Sequence, residues 1–206
     1  MNDFRDIAFS KGFMLTRDDT SSVAHFVETP LWDGWTLWSD DFTPTSRATA
    51  GADVMVLIRG QFLDGTGVSS DDVASKLAES LAISYEKFER TLGALLGRYM
   101  VIARREGETW LYHDALGLRS VYYDRDSGLV GSHARLVSQK AKREAIHGAK
   151  ETRYRLDYTI FDRVWQLLPN FRLNLNTLEV ERFFPRAINR YPVSYTHLRA
   201  HETPEH

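Results

Sequence analysis

The stretch from Leu96 to His133 limits what this chain can fold into more than any other. Tyr99 to Arg104 is apolar enough for a buried strand, and Thr109 to His113 reads as the next, across an Arg105–Glu106–Gly107–Glu108 turn. Asp114 to Arg119 is a polar-edged loop built around Gly117. Val121 to Asp124 reads as a third strand, turned at Asp126–Ser127–Gly128 into Leu129 to Ser132. Short apolar runs punctuated by Gly and Asp are strands joined by hairpins and loops. A sheet must bury its apolar face, so the rest of the chain has to pack on this sheet or extend it.

The remaining segments can be assigned in that light. Asp53 to Ile58 is almost continuously apolar with β-branched residues and predicts a central buried strand. Leu31 to Trp38 predicts a strand with Trp35 and Leu37 facing a core, after a Trp32–Gly34 turn. Ile7–Phe9 and Phe13–Leu15 predict a hairpin turning at Gly12, Val23 to Val27 a further strand ended by Pro30, and Asp40 to Ser46 a polar loop. A helix starts at Ser69 or Ser70, with Asp71 and Asp72 in its positively polarised first turn. Its Val73, Ala74, Leu77, Ala78 and Leu81 fall on one face. A second helix starts at Ser84, carries Phe88, Leu92 and Leu95 as its stripe, and stops at Gly97. Downstream, Ala134 to Ile146 reads as a basic helix, Asp157 to Leu167 as a helix stopped by Pro169, and Phe171 to Phe183 as a hairpin about Asn176–Thr177. This order predicts an α+β fold with helices on the faces of one sheet-dominated core.

Composition sets outer bounds. A chain of 206 residues, 43% hydrophobic and 12% aromatic, has enough apolar surface for a core. A net charge of −2 gives no electrostatic basis for nucleic acid or a membrane surface as a partner. There is no cysteine, hence no disulfide, thiolate metal ligand or thiol nucleophile. The start, Met1 to Asp6, lacks the apolar core of a signal peptide, and no apolar run approaches a membrane span. A cytoplasmic domain is the expectation. Val193 to Thr203 resembles one reading frame of a sequencing-library adapter. The expected domain is therefore residues 1–192, with 193–206 a non-native, disordered tail and a natural protein that continues further. On that reading His197, His201 and His206 do not count as a metal cluster.

An ordered set of segments carries a family resemblance. Leu96–Gly97–Arg98–Tyr99–Met100, Asp114–Ala115–Leu116–Gly117–Leu118–Arg119, Val121–Tyr122–Tyr123 and Gly131–Ser132 resemble the N-terminal half of asparagine synthetase-like proteins. Val56 to Leu63 is similar to that family's Val-x-Asn-Gly-Glu-Ile-Tyr strand, Val68 to Val73 to its Ser-Asp-x-Glu helix start, and Leu168–Pro169–Asn170 to its Leu-Pro-Pro-Gly segment. The resemblance spans about residues 35 to 184. It implies a class II glutamine amidotransferase domain of the Ntn-hydrolase type, a four-layer αββα sandwich with antiparallel sheets. It also implies a C-terminal synthetase domain in cis, where ATP and Mg would be used; no cofactor is expected in this segment itself.

The chain departs from the family where the chemistry would be. Active members attack glutamine with an N-terminal cysteine; here removal of Met1 would expose Asn2, which has no nucleophilic atom. The family's oxyanion Asn-Gly pair is Arg59–Gly60, a long cation in place of a neutral amide donor. Asp71 matches the carboxylate that would hold the substrate amine. Arg59, Gly60 and Asp71 thus form the expected vestigial pocket, with no catalytic residue. Asp114, Gly117 and Arg119 read as a structural or interdomain motif, with an Asp114–Arg119 ion pair fixing the strand crossover. Trp32, Trp35 and Trp38 read as core rather than a sugar platform. His113 and His133 lack a carboxylate-rich neighbourhood in sequence, so neither metal binding nor base catalysis is assigned to them. Lys140, Lys142, Arg143 and Lys150 read as a solvated helix face, and an autoprocessing nucleophile at Gly65–Thr66 or Gly131–Ser132 is disfavoured by their place within the predicted sheets. The expected function is a non-catalytic glutaminase-like scaffold. An amidohydrolase with a different nucleophile and an amino-acid- or peptide-binding module are the alternatives.

Overall fold

The computed structural model describes residues 9–17, 23, 25–64, 70–146 and 157–185. Along the chain come β1 (Phe13–Thr16), β2 (Val27–Pro30), β3 (Thr36–Ser39), β4 (Thr45–Thr49) and β5 (Met55–Asp64). The helices α1 (Ser70–Ile83) and α2 (Tyr85–Leu92) follow, then β6 (Leu95–Arg105), β7 (Glu108–His113), β8 (Tyr122–Asp124) and β9 (Leu129–Gly131). Last are α3 (Ala134–Lys140), β10 (Trp165–Gln166), β11 (Phe171–Asn174) and β12 (Val180–Arg182). The architecture is mixed α and β. Two six-stranded sheets are formed, in the orders β10-β8-β9-β1-β3-β2 and β12-β11-β7-β6-β5-β4, and adjacent strands pair antiparallel.

Strand periodicity explains why the central runs are apolar without interruption. Successive side chains point to opposite faces. In the second sheet Val56, Ile58, Tyr99, Val101, Ala103, Trp110 and Tyr112 face one core, shared with Val73, Leu77 and Leu81 of α1 and Phe88 and Leu92 of α2. The alternate residues Leu57, Met100, Ile102 and Leu111 face another core, shared with Phe13, Leu15, Leu37 and Val130 of the first sheet. Met14, Trp38 and Leu129 point out of the first sheet into a third core with Leu136 and Val137 of α3. The sheets therefore lie face to face, with α1 and α2 outside one and α3 outside the other. Each is buried on both faces. The three tryptophans read as core behave so: Trp35 and Trp38 are buried, and Trp32 packs against the inter-sheet core.

Helix starts follow local chemistry. The Ser84 side chain accepts the Lys87 N–H, capping α2. The strand expected over Val23–Val27 instead runs Val27–Pro30, with Pro30 as its last residue, and three helix boundaries also differ from the sequence expectation. First, α2 ends at Leu92 with Gly93 as C-cap; Gly97 lies inside β6, opposite Phe62, instead of stopping the helix. Second, the helix expected over Ala134–Ile146 stops at Lys140. Lys142 adopts a positive φ of 54°, and Arg143 turns back to the Asp124 carboxylate. Third, the helix expected over Asp157–Leu167 is replaced by turns, an Ala145–Phe161 bridge and β10. There the Thr159 hydroxyl accepts the Phe161 N–H and donates to the Val164 carbonyl, taking backbone groups a helix would need. Ile7 and Ala8 of the hairpin arm expected before Gly12, Lys150, and the tail from residue 193 lie outside the described residues, while Phe9 sits in a turn closed by the Gly12 N–H on its carbonyl.

Candidate functional site

Arg59 shares the inter-sheet face of β5 with Leu57, two residues before it, so its side chain is directed inward. It is 2% exposed. Its Nη1 donates to the Thr43 carbonyl at 2.9 Å and the Thr45 hydroxyl at 2.7 Å. Its Nη2 donates to the Asp40 carbonyl at 2.7 Å and Asp40 Oδ1 at 3.0 Å. Asp40 is equally buried, and Oδ1 also accepts from Phe42 N, Thr43 N and the Thr43 hydroxyl. Burial pulls the Arg59 pKa down, and the charge and hydrogen bond of Asp40 partly restore it.

Gly60 follows, where β5 and β6 come together. Its φ is +141°, and a Cβ there would stand 2.3 Å from the Arg98 carbonyl oxygen and 2.6 Å from Tyr99 Cα. Backbone cannot yield as a side chain can, so only glycine fits. The cavity beside this position measures about 40 Å³, lined by Lys11, Phe42, Thr43, Pro44, Gln61, Arg98 and Arg119. Of the other residues assigned to a vestigial pocket, Asp71 lies in the first turn of α1 with its side chain outside what is described, and Asn2 is outside the described residues.

The loop after β7 is organised differently from the expected ion pair. Asp114 does not pair with the Arg119 guanidinium. Its carboxylate accepts backbone N–H groups: Leu116 at 3.2 Å and Leu118 at 2.9 Å on Oδ1, Arg119 at 2.7 Å on Oδ2. This is the short-range side-chain capping that favours Asp in turns. Arg119 is thereby released to reach the Lys11 carbonyl through Nη1, and it is 94% buried in doing so, given its 6% exposure. Gly117 has φ +67°, and a Cβ there would press on Pro169 at 3.1 Å and His113 at 3.3 Å. His113 Nε2 lies 2.9 Å from the Leu168 carbonyl, so the loop is tied to the Leu168–Pro169 segment.

Arg119 also lines a second, larger cleft of about 710 Å³ on the side of the first sheet. Arg98, Ser120, Tyr122, Ser132, His133 and Arg135 border it, with Tyr158 to Phe161 as its far wall. Burial, then the charges of Arg98 and Arg59, bring the Arg119 pKa down to about 10, against partial support from Asp40 and Asp114. Burial, then Arg119 and Arg98, hold the His133 pKa below that of a free imidazole. Ser132 Oγ lies 2.7 Å from His133 Nδ1, which on paper is a serine–histidine pair. The same oxygen accepts the Phe13 N–H at 2.9 Å and lies 3.2 Å from the Phe13 carbonyl, so it closes the edge between β1 and β9. Among the described residues no group of three His, Asp or Glu side chains could hold a metal ion. No described helix is long and apolar enough to cross a membrane.

Sequence reading singled out Arg59 and Arg119 but not their surroundings. Asp40 looked like one residue of a polar loop, and nothing local linked it to Arg59. Arg98 lies on β6 of the second sheet and Arg135 in α3 after β9 of the first, and only the face-to-face stacking of the two sheets puts both on one cleft. No family model matches the chain, and no curated protein matches it.

Proposed function

We propose that this chain is a non-catalytic, glutaminase-like domain of the Ntn-hydrolase type, with a four-layer αββα sandwich, that scaffolds a synthetase or cyclase domain following it in the same protein. The observation that carries the reading is Arg59 itself. At the position matched to the oxyanion donor, its guanidinium is turned into a buried ion pair with Asp40 and leaves a cavity of only about 40 Å³. A glutamine side chain and its attacking nucleophile need several times that volume. The face-to-face sheets with helices outside both agree with the sandwich. ATP and Mg would belong to the following domain, in the cytoplasm, with no nucleic acid or membrane partner.

A scaffold needs a surface for what it supports. Leu63 and Leu96 are cross-strand partners, 72% and 69% exposed, at the far end of β5 and β6. The loop carrying exposed Leu116 and Leu118 leaves at that same end, where the Asp114 N–H donates to the Tyr99 carbonyl. Exposed Phe42 flanks it just before β4. Apolar side chains gathered beside the closed pocket are what an interdomain contact would bury. The test is ammonia release from glutamine by the full chain and by Arg59→Ala, with the uninterrupted gene read beyond Pro192. No turnover by either protein and a Ser-Gly-Gly-x-Asp loop downstream are expected. Turnover that disappears in Ser132→Ala would replace the scaffold with an amidohydrolase using a non-cysteine nucleophile.

A further inference from the structure

The larger cleft shares Arg98 and Arg119 with the small cavity beside Arg59 but needs nothing from the glutaminase reading. Its border holds three guanidinium groups, Arg98, Arg119 and Arg135, and no carboxylate among the described residues. Within those residues Arg98 and Arg135 side chains form no hydrogen bond or ion pair, and both are exposed at the rim. Arg119 is the fixed member. Its Nη1 is held by the Lys11 carbonyl, while its buried Nε, like that of Arg59, has no hydrogen-bond partner among the described residues. A buried N–H donor left open costs stability unless something accepts from it. Ser10, Ser120, Thr159 and Tyr122 add neutral hydroxyl groups around the same space. Ile160, 51% exposed, and Phe161 supply an apolar side.

We propose that this cleft binds an organic phosphate monoester, its phosphoryl group among Arg98, Arg119 and Arg135 and its organic part against Ile160 and Phe161. Three guanidinium forks with no carboxylate lining the cleft match a dianion with three acceptor oxygens better than a single carboxylate. The volume of about 710 Å³ falls within the range of small-molecule sites. Burial and the neighbouring Arg119 and Arg98 disfavour a charged His133, and a bound dianion would favour its protonation.

The probe is phenyl phosphate, titrated into the full chain by calorimetry, with a histidine-resolved NMR titration alongside. One site is expected, with inorganic phosphate about tenfold weaker and phenol silent. Arg98→Gln and Arg135→Gln should each weaken binding about tenfold, since both lie at the rim and neither supports the core. Occupancy should move the His133 titration to higher pH. A phosphotyrosine peptide binding more tightly than phenyl phosphate would assign the phosphate to a protein side chain; the reverse would assign it to a free metabolite. Either result upholds the site. Benzoate binding as well as phenyl phosphate, or an Arg98→Gln/Arg135→Gln protein binding as well as the parent, would overturn it.

Discussion

Arg59 and Arg119 are both buried arginines at the same end of the molecule, and they have met opposite fates. Arg59 has Asp40 against it and lines no open space, the cavity beside it measuring about 40 Å³. Arg119 borders that cavity too, has no carboxylate within ion-pair distance among the described residues, and also faces a cleft of about 710 Å³ together with two further arginines. A buried charge must be compensated, either from within the protein or by what it binds. The Arg59 side shows the first solution, with the guanidinium paired inside the core. The Arg119 side has kept its positive potential turned toward an open space.

The comparison breaks most sharply at Asp40. Asp40→Ala removes the counter-charge and the acceptor for Phe42 N, Thr43 N and the Thr43 hydroxyl in one step. Stranding Arg59 should cost about 3–5 kcal/mol, read from urea unfolding midpoints. Arg59→Met alone strands Asp40 and should cost a similar amount. Combining the two should cost less than the sum of the single changes, with a coupling of about 2 kcal/mol or more. Additive losses would mean that Arg59 and Asp40 are not the compensated pair described here.

The next largest effect is steric. Gly60→Ala forces a Cβ against the Arg98 carbonyl and Tyr99 Cα at a positive φ. Strain and overpacking together should cost about 2–4 kcal/mol in the same unfolding measurement. Because Arg98 follows from β6 pairing, this variant should also disturb the cleft, joining the two regions that the Asp40 variants separate.

How much of this was legible in the sequence depends on the range of the interactions. The β5–β7 strands and α1 are readable because local pattern and burial agree: short continuous apolar runs where a strand is buried on both faces, and apolar residues every third and fourth position along the helix. The segment 157–167 was misread for an instructive reason. Ile160, Val164 and Leu167 have helical spacing, yet Val164 faces the core under α3, Leu167 faces the core between the sheets, and Ile160 borders the cleft. Spacing marks which residues are apolar and not which core receives them. The sequence reading singles out Arg59 and Gly60, but Asp40 lies 19 residues upstream, paired through space rather than through pattern. Asp114 and Arg119 were rightly placed in one loop with the wrong bond between them, because an Asp near an Arg suggests an ion pair while loop amides, invisible in side-chain letters, compete for the same oxygens.

A smaller effect sharpens the contrast from a third pair. Asp124 is fully buried and takes Arg143 in a two-pronged contact, but Arg143 remains partly open to water. Burial pushes the Asp124 carboxyl up; the Arg143 contact and the Ser127 and Asp126 N–H groups outweigh it, leaving its pKa below the ordinary value. A depressed carboxyl contributes stability above its unfolded pKa of about 4, and that stability is lost as pH falls through the folded value. Asp124→Asn should therefore cost about 1.5 kcal/mol at neutral pH and flatten the acid limb of a stability–pH curve below about pH 4. An unchanged acid limb would show that Arg143 contributes nothing to Asp124 beyond proximity.

The smallest stability effect belongs to the rim of the cleft, and its smallness is the point. Arg98 and Arg135 are exposed and form no described ion pair, so Arg98→Gln and Arg135→Gln should each shift unfolding by no more than about 0.5 kcal/mol. The sign should be slightly stabilising for Arg98→Gln, because the Arg98 charge disfavours the charged form of buried Arg119. Added phosphate should stabilise the parent more than it stabilises either variant, since a ligand of the folded state raises stability in proportion to its affinity. A marked loss of stability in the variants without ligand would mean that these arginines are internally compensated after all, and the distinction between the closed and open sides would disappear.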